Sequence, residues 1–170
     1  MSSKLRVTAP EHIEGHHDPT AFDCGEPSLN DWLRLQALKN EASGASRSYV
    51  ICAEGRIVGY YALATGAVAR AAATGKVRRQ MPDPIPMMII GRLAVDTRYQ
   101  GHGLGYGLLR DALLRTLQVA EHAGIRAVLL HAMTADAKRF YQRAGFQESL
   151  LDPMTMMIAI GDVEKALAAP

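Results

Sequence analysis

The chain has 170 residues, 48% of them hydrophobic and 21% charged, with 19 Lys and Arg against 17 Asp and Glu for a formal net charge of +2. That size and balance predict one globular domain, residues 1–170, with a single core, and exclude a disordered or fibrous chain. No apolar run approaches the ~20 residues needed to span a bilayer, no apolar stretch near the start reads as a secretory signal, and the two cysteines, Cys24 and Cys52, form no C-x-x-C pair, so a reducing cytoplasm is expected and a structural disulfide is not.

Residues 1–20 show little periodicity and read as an extended lead-in. His12, His16, His17 and Asp18 fall there, but their spacing matches no zinc pattern, so no metal is expected. Ser28-Leu29-Asn30-Asp31 predicts the cap of a helix running to about Asn40, with Trp32, Leu33, Leu35 and Leu38 on a partial apolar face. Residues 47–53 read as a strand, Glu54-Gly55-Arg56 as a turn, and residues 57–65 as the paired strand of a hairpin. Arg70, Lys76, Arg78 and Arg79 follow, with no acid before Asp83. This stretch reads as a mobile basic loop or a loosely held helix. Pro82, Pro84 and Pro86 exclude regular structure where they stand.

Residues 87–95 suit a central strand buried on both faces. From Leu104, apolar residues recur at three- and four-residue spacing through Ala120, and Gly124 is expected to end that helix. Residues 125–133 read as a second buried strand in which His131 is a hydrogen-bonded core histidine. Thr134 is expected to cap a short helix ended by Gly145, and residues 154–160 to form a last strand whose methionines fill the core. The order is strand, strand, strand, glycine loop, helix, strand, helix, strand. It predicts an α/β (α+β) fold, a mixed sheet with helices packed on both faces.

The glycine loop, Arg98-Tyr99-Gln100-Gly101-His102-Gly103-Leu104-Gly105, is the feature that carries chemistry. Lying between a strand and a helix, it exposes backbone N–H groups where they can hold a pyrophosphate. No lysine follows the glycines, so a P-loop is poorly supported. Read from Gly101 or from Gly103, G-x-G-x-x-G fails at Tyr106 or at Leu108, which argues against a dinucleotide fold. The spacing that fits is R-x-x-G-x-G at Arg98, Gly101 and Gly103. A side chain at such a glycine blocks the approach of phosphate to the backbone, and some of these positions need a positive φ.

With this motif the chain resembles the GNAT superfamily of acetyl-CoA-dependent N-acetyltransferases. The resemblance implies a single GNAT fold whose central sheet is splayed at the cofactor site. It implies cofactor contacts from Leu93, Ala94, Val95, Arg98, Gln100, Gly101, His102, Gly103, Leu104, Gly105, Tyr106, Asp136 and Phe140, with acetyl-CoA as donor and no metal. In such a site the strand Gly91-Arg92-Leu93-Ala94-Val95 pairs with the pantetheine arm, and a backbone N–H near Leu93 or Ala94 polarises the acetyl carbonyl. Ala137-Lys138-Arg139-Phe140-Tyr141-Gln142-Arg143-Ala144-Gly145-Phe146 resembles the family's A-x-x-F-Y-x-x-x-G-F segment, which implies that Tyr141 protonates the departing thiolate. On helical spacing alone Tyr141 reads sooner as core. The asparagine that many members carry after the second buried strand is missing here, and Asp136 or a backbone group stands in its place.

Five blocks in order extend the likeness: Phe22-Asp23-Cys24-Gly25, Leu29-Asn30-Asp31-Trp32-Leu33, Tyr60-Tyr61-Ala62-Leu63, Gly91-Arg92-Leu93-Ala94-Val95-Asp96, and Phe140-Tyr141 with Gly145-Phe146. Together they resemble the GNAT toxins of bacterial toxin–antitoxin pairs. This implies acetylation of the α-amino group of aminoacyl-tRNA, a block of translation, a ribbon-helix-helix antitoxin that binds operator DNA, and a homodimer. Arg78, Arg79 and Arg92 are the candidates for tRNA phosphates. No general base stands out, and Asp96 and Asp136 are candidates by position alone. Two rival readings are acetylation of a small-molecule or protein amine, and a non-catalytic coenzyme A-binding module.

Overall fold

The computed structural model of the protein describes residues 5–168. Seven strands lie in the order β1-β2-β3-β4-β5-β7-β6 of one sheet. They are β1 (Glu11–His12), β2 (Arg47–Ala53), β3 (Arg56–Val68), β4 (Ile85–Val95), β5 (Ala127–His131), β6 (Gln147–Glu148) and β7 (Thr155–Ala159). The β1–β2, β2–β3, β5–β7 and β6–β7 pairs are antiparallel and β4–β5 is parallel, so the sheet is mixed as expected. The helices are α1 (Pro27–Leu35), α2 (Ala37–Ser43), α3 (Gly75–Arg78), α4 (Leu104–Ala120), α5 (Ala135–Arg143) and α6 (Ile160–Ala168). No described helix is long and apolar enough to cross a membrane. The chain divides into two compact units: one runs to Leu63 and resumes over Arg92–Asp111, the other takes Ala64–Gly91 and the chain from Ala112 onward.

The first unit is built on the β2–β3 hairpin. Its register runs from Arg47↔Leu63 to Ala53↔Arg56, with a bulge between Ile51 and Cys52. Ile13, Phe22, Leu33, Val50, Ile57, Tyr60 and Ala94 form its core, with Trp32 packed against them. Burying each of the larger ones stabilises the unit by roughly 1.5–3 kcal/mol. The helix expected from Ser28 to Asn40 is two helices. α1 starts at Pro27 with no side-chain cap, because the fixed φ of proline suits a first helical position. Asn30 is buried, and its side chain accepts from Cys24 N and donates to Asp23, which turns it to the preceding loop. Gln36 separates α1 from α2.

The second unit packs Ala73, Val77, Ile85, Met87, Ala127, Leu129, Met157 and Ala159 into its own core. Of the two readings of the basic stretch, the helix is the nearer, and it is held rather than loose. Arg70–Ala72 forms a 3-10 turn, Thr74 caps α3, and Ala73 and Val77 anchor the segment in the core. Arg126 holds it from outside, donating to the carbonyls of Val77 at 2.9 Å and Lys76 at 2.8 Å. Regular structure also begins earlier than the prolines suggest. Pro86 lies inside β4, where its carbonyl still accepts from Arg126 N at 2.9 Å. Gly66 in β3 leaves room for Ile89, whose Cδ1 would stand 2.3 Å from an added Cβ. Thr134 caps α5 and Gly145, at φ +102°, follows its end, as the sequence predicts. The last strand stops at Ala159 because residue 160 opens α6, an element the sequence reading missed. α4 ends at Ala120, short of Gly124.

Candidate functional site

The β4–β5 ladder runs from Met87↔Ala127 to Ile90↔Leu130 and stops. β4 continues for five more residues, Gly91 to Val95, beyond that last pair. Gly91 is exposed, and a Cβ there would meet nothing within 4 Å. The strand thus presents an edge of backbone N–H and C=O groups that β5 does not cover, which is what an extended ligand pairs with. Leu93 is half-buried on this edge, and Ala94 and Val95 are buried.

The loop after Val95 hangs on Asp96, which is fully buried. Asp96 N donates to Val58 O at 2.8 Å. One carboxylate oxygen accepts from Arg98 N at 2.9 Å and Arg98 Nε at 3.1 Å; the other accepts from Asp23 N and Arg98 Nη2, both at 3.1 Å. Burial alone pushes the carboxyl up, but these donors outweigh it and hold Asp96 below the usual carboxylate range. Asp96 is therefore a structural anchor rather than a base. Arg98 spends part of its guanidinium on Asp96 and on Ala21 O at 3.4 Å, which positions the loop. Gln100 does likewise, its amide donating to Val95 O at 2.8 Å and Cys24 O at 3.4 Å.

With its ends fixed, the loop turns through Gly101 at φ +83° and Gly103 at φ +80°. A Cβ at either would meet nothing within 4 Å. Backbone conformation, not packing, requires glycine there, and open space remains above the backbone for a ligand. Gly107 N bonds back to Gly103 O at 3.1 Å, closing the first turn of α4. The N–H groups of Leu104, Gly105 and Tyr106 precede that bond and have no acceptor within the helix. Together with the dipole of a 17-residue helix they make an anion site. His102 is exposed beside it and Tyr106 is 48% exposed. A coenzyme pyrophosphate fits this cradle.

In the second unit, Tyr141 is 7% exposed on α5. Its ring packs edge-on to Phe140 and Phe146, at 5.1 and 5.8 Å between centroids. Burial pushes its phenol up to about 12. Among the described residues its hydroxyl has no hydrogen-bond partner. A phenol in this state keeps its proton at neutral pH and is free to donate it. Phe140 is half-buried, and Asp136, exposed in the first turn of α5, pairs with Arg139. Arg78 and Arg79 are exposed with no ion pair among the described residues, whereas Lys76 pairs with Asp162 at 2.6 Å. In the first unit, the Arg92 guanidinium lies 4.4 Å over the Trp32 ring, which itself stacks on Tyr60 at 5.9 Å and 6°.

The N-terminal histidines are accounted for by neighbours. His17 is buried, accepts from Glu14 N at 2.8 Å and bonds Glu11; His12 pairs with Glu41 and His16 with Glu14. Among the described residues no group of three or more His, Cys, Asp or Glu could hold a metal. His131 departs from expectation. It is exposed rather than in the core, and it bonds Thr155, which in turn bonds Asp152. Those partners lie more than 20 residues away, so no local pattern announced them.

The site is that of a known family. Residues 44–148 match the acetyltransferase (GNAT) domain model. Over 155 residues, 91% of this chain and 93% of the relative, the protein is 50% identical to a tRNA-acetylating toxin of Mycobacterium tuberculosis (strain ATCC 25618 / H37Rv). Among solved structures it is similar to AtaT complexed with acetyl-methionyl-tRNAfMet, at TM-score 0.86 and 26% identity over 94% of this chain and 98% of that one. It is also similar to a tyrosine-to-phenylalanine mutant of the AtaT toxin bound to the C-terminus of the antitoxin AtaR and acetyl-CoA, at TM-score 0.81 and 25% identity over 96% and 99%. The chain belongs to the GNAT acetyltransferase family.

Proposed function

We propose that this protein is the toxin of a bacterial toxin–antitoxin pair and transfers acetyl from acetyl-CoA to the α-amino group of aminoacyl-tRNA, so that the charged tRNA no longer serves translation. The observation that carries the reading is 50% identity across nine-tenths of both chains to a toxin named for acetylating tRNA. The geometry is compatible with it. The Gly101–Gly103 turn and the start of α4 suit the pyrophosphate, and the free edge of β4 suits the pantetheine arm. Acetyl-CoA supplies a thioester carbonyl, which a backbone N–H near Leu93 or Ala94 polarises.

The acceptor suits a site without a strong base. Esterification lowers the pKa of an α-amine below its usual 7.7–8.0 or so, so a large share arrives neutral. Tyr141 is the proton donor to the leaving thiolate, whose ordinary pKa is about 8.5, because a phenol held protonated by burial gives up its proton only as charge develops on sulfur. Asp136 and Phe140 shape the same region of α5. Arg78, Arg79 and Arg92 hold acceptor-stem phosphates, the last with its charge steadied by Trp32. The partners are aminoacyl-tRNA, a ribbon-helix-helix antitoxin that reaches operator DNA, and a second copy of the chain; the compartment is the cytoplasm. The whole chain acts as a single domain.

The test incubates the purified protein with acetyl-CoA and total charged tRNA, then digests the RNA and seeks N-acetylated aminoacyl-adenosine by mass spectrometry. The expected result is acetyl on one or a few aminoacyl groups. Modification of free amino acids or polyamines with untouched charged tRNA would sink the toxin reading and favour a small-amine acetyltransferase.

A further inference from the structure

His131 closes β5 at the point where the β4–β5 ladder ends, one residue past the Ile90↔Leu130 pair. Its Nδ1 lies 2.7 Å from Thr155 Oγ1, and that hydroxyl donates to Asp152 Oδ2 at 2.9 Å. The Thr155 hydroxyl has one proton, and the carboxylate takes it. Asp152 is ionised, since the Met154 backbone N–H and the Thr155 hydroxyl hold it below the usual carboxylate range. Thr155 can then only accept from the ring. The neutral imidazole therefore has its proton on Nδ1 and a lone pair on Nε2. His131 is exposed, and Nε2 has no partner among the described residues. Relays that fix one ring nitrogen so the other works as an acceptor are a recurring device of acid–base sites.

We infer that His131, set by Thr155 and Asp152, takes the proton that the attacking amine sheds during acetyl transfer. This rests on the reading of the fork beyond Ile90 as the place where the thioester meets the amine. A neutral amine still needs such an acceptor. As the N–C bond forms and the C–S bond breaks, the electron pair leaves with sulfur, which takes the Tyr141 proton. Nitrogen, left positive, gives one proton to His131 Nε2. Imidazolium and phenolate then re-equilibrate with water, and the products are the acetyl amide and free coenzyme thiol. Asp152 is the charge that faces the ring through Thr155. Apart from His131, β5 has no ionisable side chain, nor do Met87 to Gly91 on β4 or any residue of β7, and on α5 Asp136 pairs with Arg139 while Lys138 pairs with Glu148.

Two measurements test this. Long-range 15N–1H NMR of the imidazole-labelled wild-type protein at pH 8 should show the neutral His131 ring protonated at Nδ1; protonation at Nε2 overturns the inference whatever the substrate. In pH–rate profiles, His131→Gln, which keeps a donor to Thr155 but accepts no proton, should lose about 10²-fold in kcat at neutral pH with the KM for acetyl-CoA unchanged. Thr155→Val should share part of that loss and Thr155→Ser should restore it. Wild-type rates in His131→Gln across the pH range overturn the inference and leave the acetyltransferase reading standing. A wild-type protein that acetylates no amine overturns both.

Discussion

Tyr141 and Asp96 show how one environment, burial, serves two opposite ends. Around Tyr141 burial acts alone and holds the phenol protonated. Around Asp96 four donor contacts reverse it and hold the carboxyl charged. Tyr141→Phe keeps the ring packing against Phe140 and Phe146 and removes the proton. It should lower kcat by about 10²–10⁴-fold with acetyl-CoA affinity unchanged, read by steady-state kinetics beside calorimetry. A merely packed Tyr141 would leave kcat intact. The shift at Asp96 has a sign to check. Its folded pKa lies below the ordinary 3.8, so near that pH the unfolded chain binds more protons. The stability it lends is present above that range and lost as pH falls through it. Thermal melts from pH 6 to pH 2.5 should show a steeper acid loss for the wild type than for Asp96→Asn, which should already melt lower at pH 6. Equal acid slopes would remove Asp96 from its role as anchor.

At the scale of the element, the loop between β4 and α4 is a backbone device. Gly101→Val forces a β-branched residue to φ +83°, at roughly 1–2 kcal/mol, and fills space that has no protein atom in it. How much of this was legible in the sequence follows from which interactions are local. The strand–glycine–helix order, the Thr134 cap and the two positive-φ glycines are written within a few neighbouring residues, and those expectations hold. The division of α1 from α2 was not legible, because Asn30 turns to Asp23 and Cys24 instead of capping. Nor was the order of the basic stretch, which depends on Arg126, some 50 residues away, and on two small apolar side chains in the core. The same holds for His131, whose alternation in an apolar strand reads as core although its partners are Thr155 and Asp152. Arg126→Ala should therefore raise amide exchange across Gly75–Arg78 by removing two hydrogen bonds while the β5–β7 ladder stays protected. Unchanged exchange there would show that Ala73 and Val77 suffice.

For the whole molecule, a formal charge of +2 leaves little long-range pull on a polyanion, so the proposed tRNA acceptor has to be held by placed cations. Arg78 and Arg79 are exposed and unpaired among the described residues, unlike Lys76. Arg78→Ala with Arg79→Ala should weaken aminoacyl-tRNA binding and flatten its salt dependence by up to about two units of log–log slope, with acetyl-CoA affinity unchanged. A slope equal to that of the wild type would place the tRNA elsewhere. Acetyl transfer requires that the turn after Val95 grips the coenzyme. Calorimetric titration of acetyl-CoA into the wild type and into Gly101→Val, with both folds checked by circular dichroism, tests it most directly. Such a grip predicts saturable heat with one site per chain in the wild type and at least ~10-fold weaker binding in the variant, the equivalent of about 1.4 kcal/mol. Equal affinities in the two, or no heat in the wild type, would contradict it.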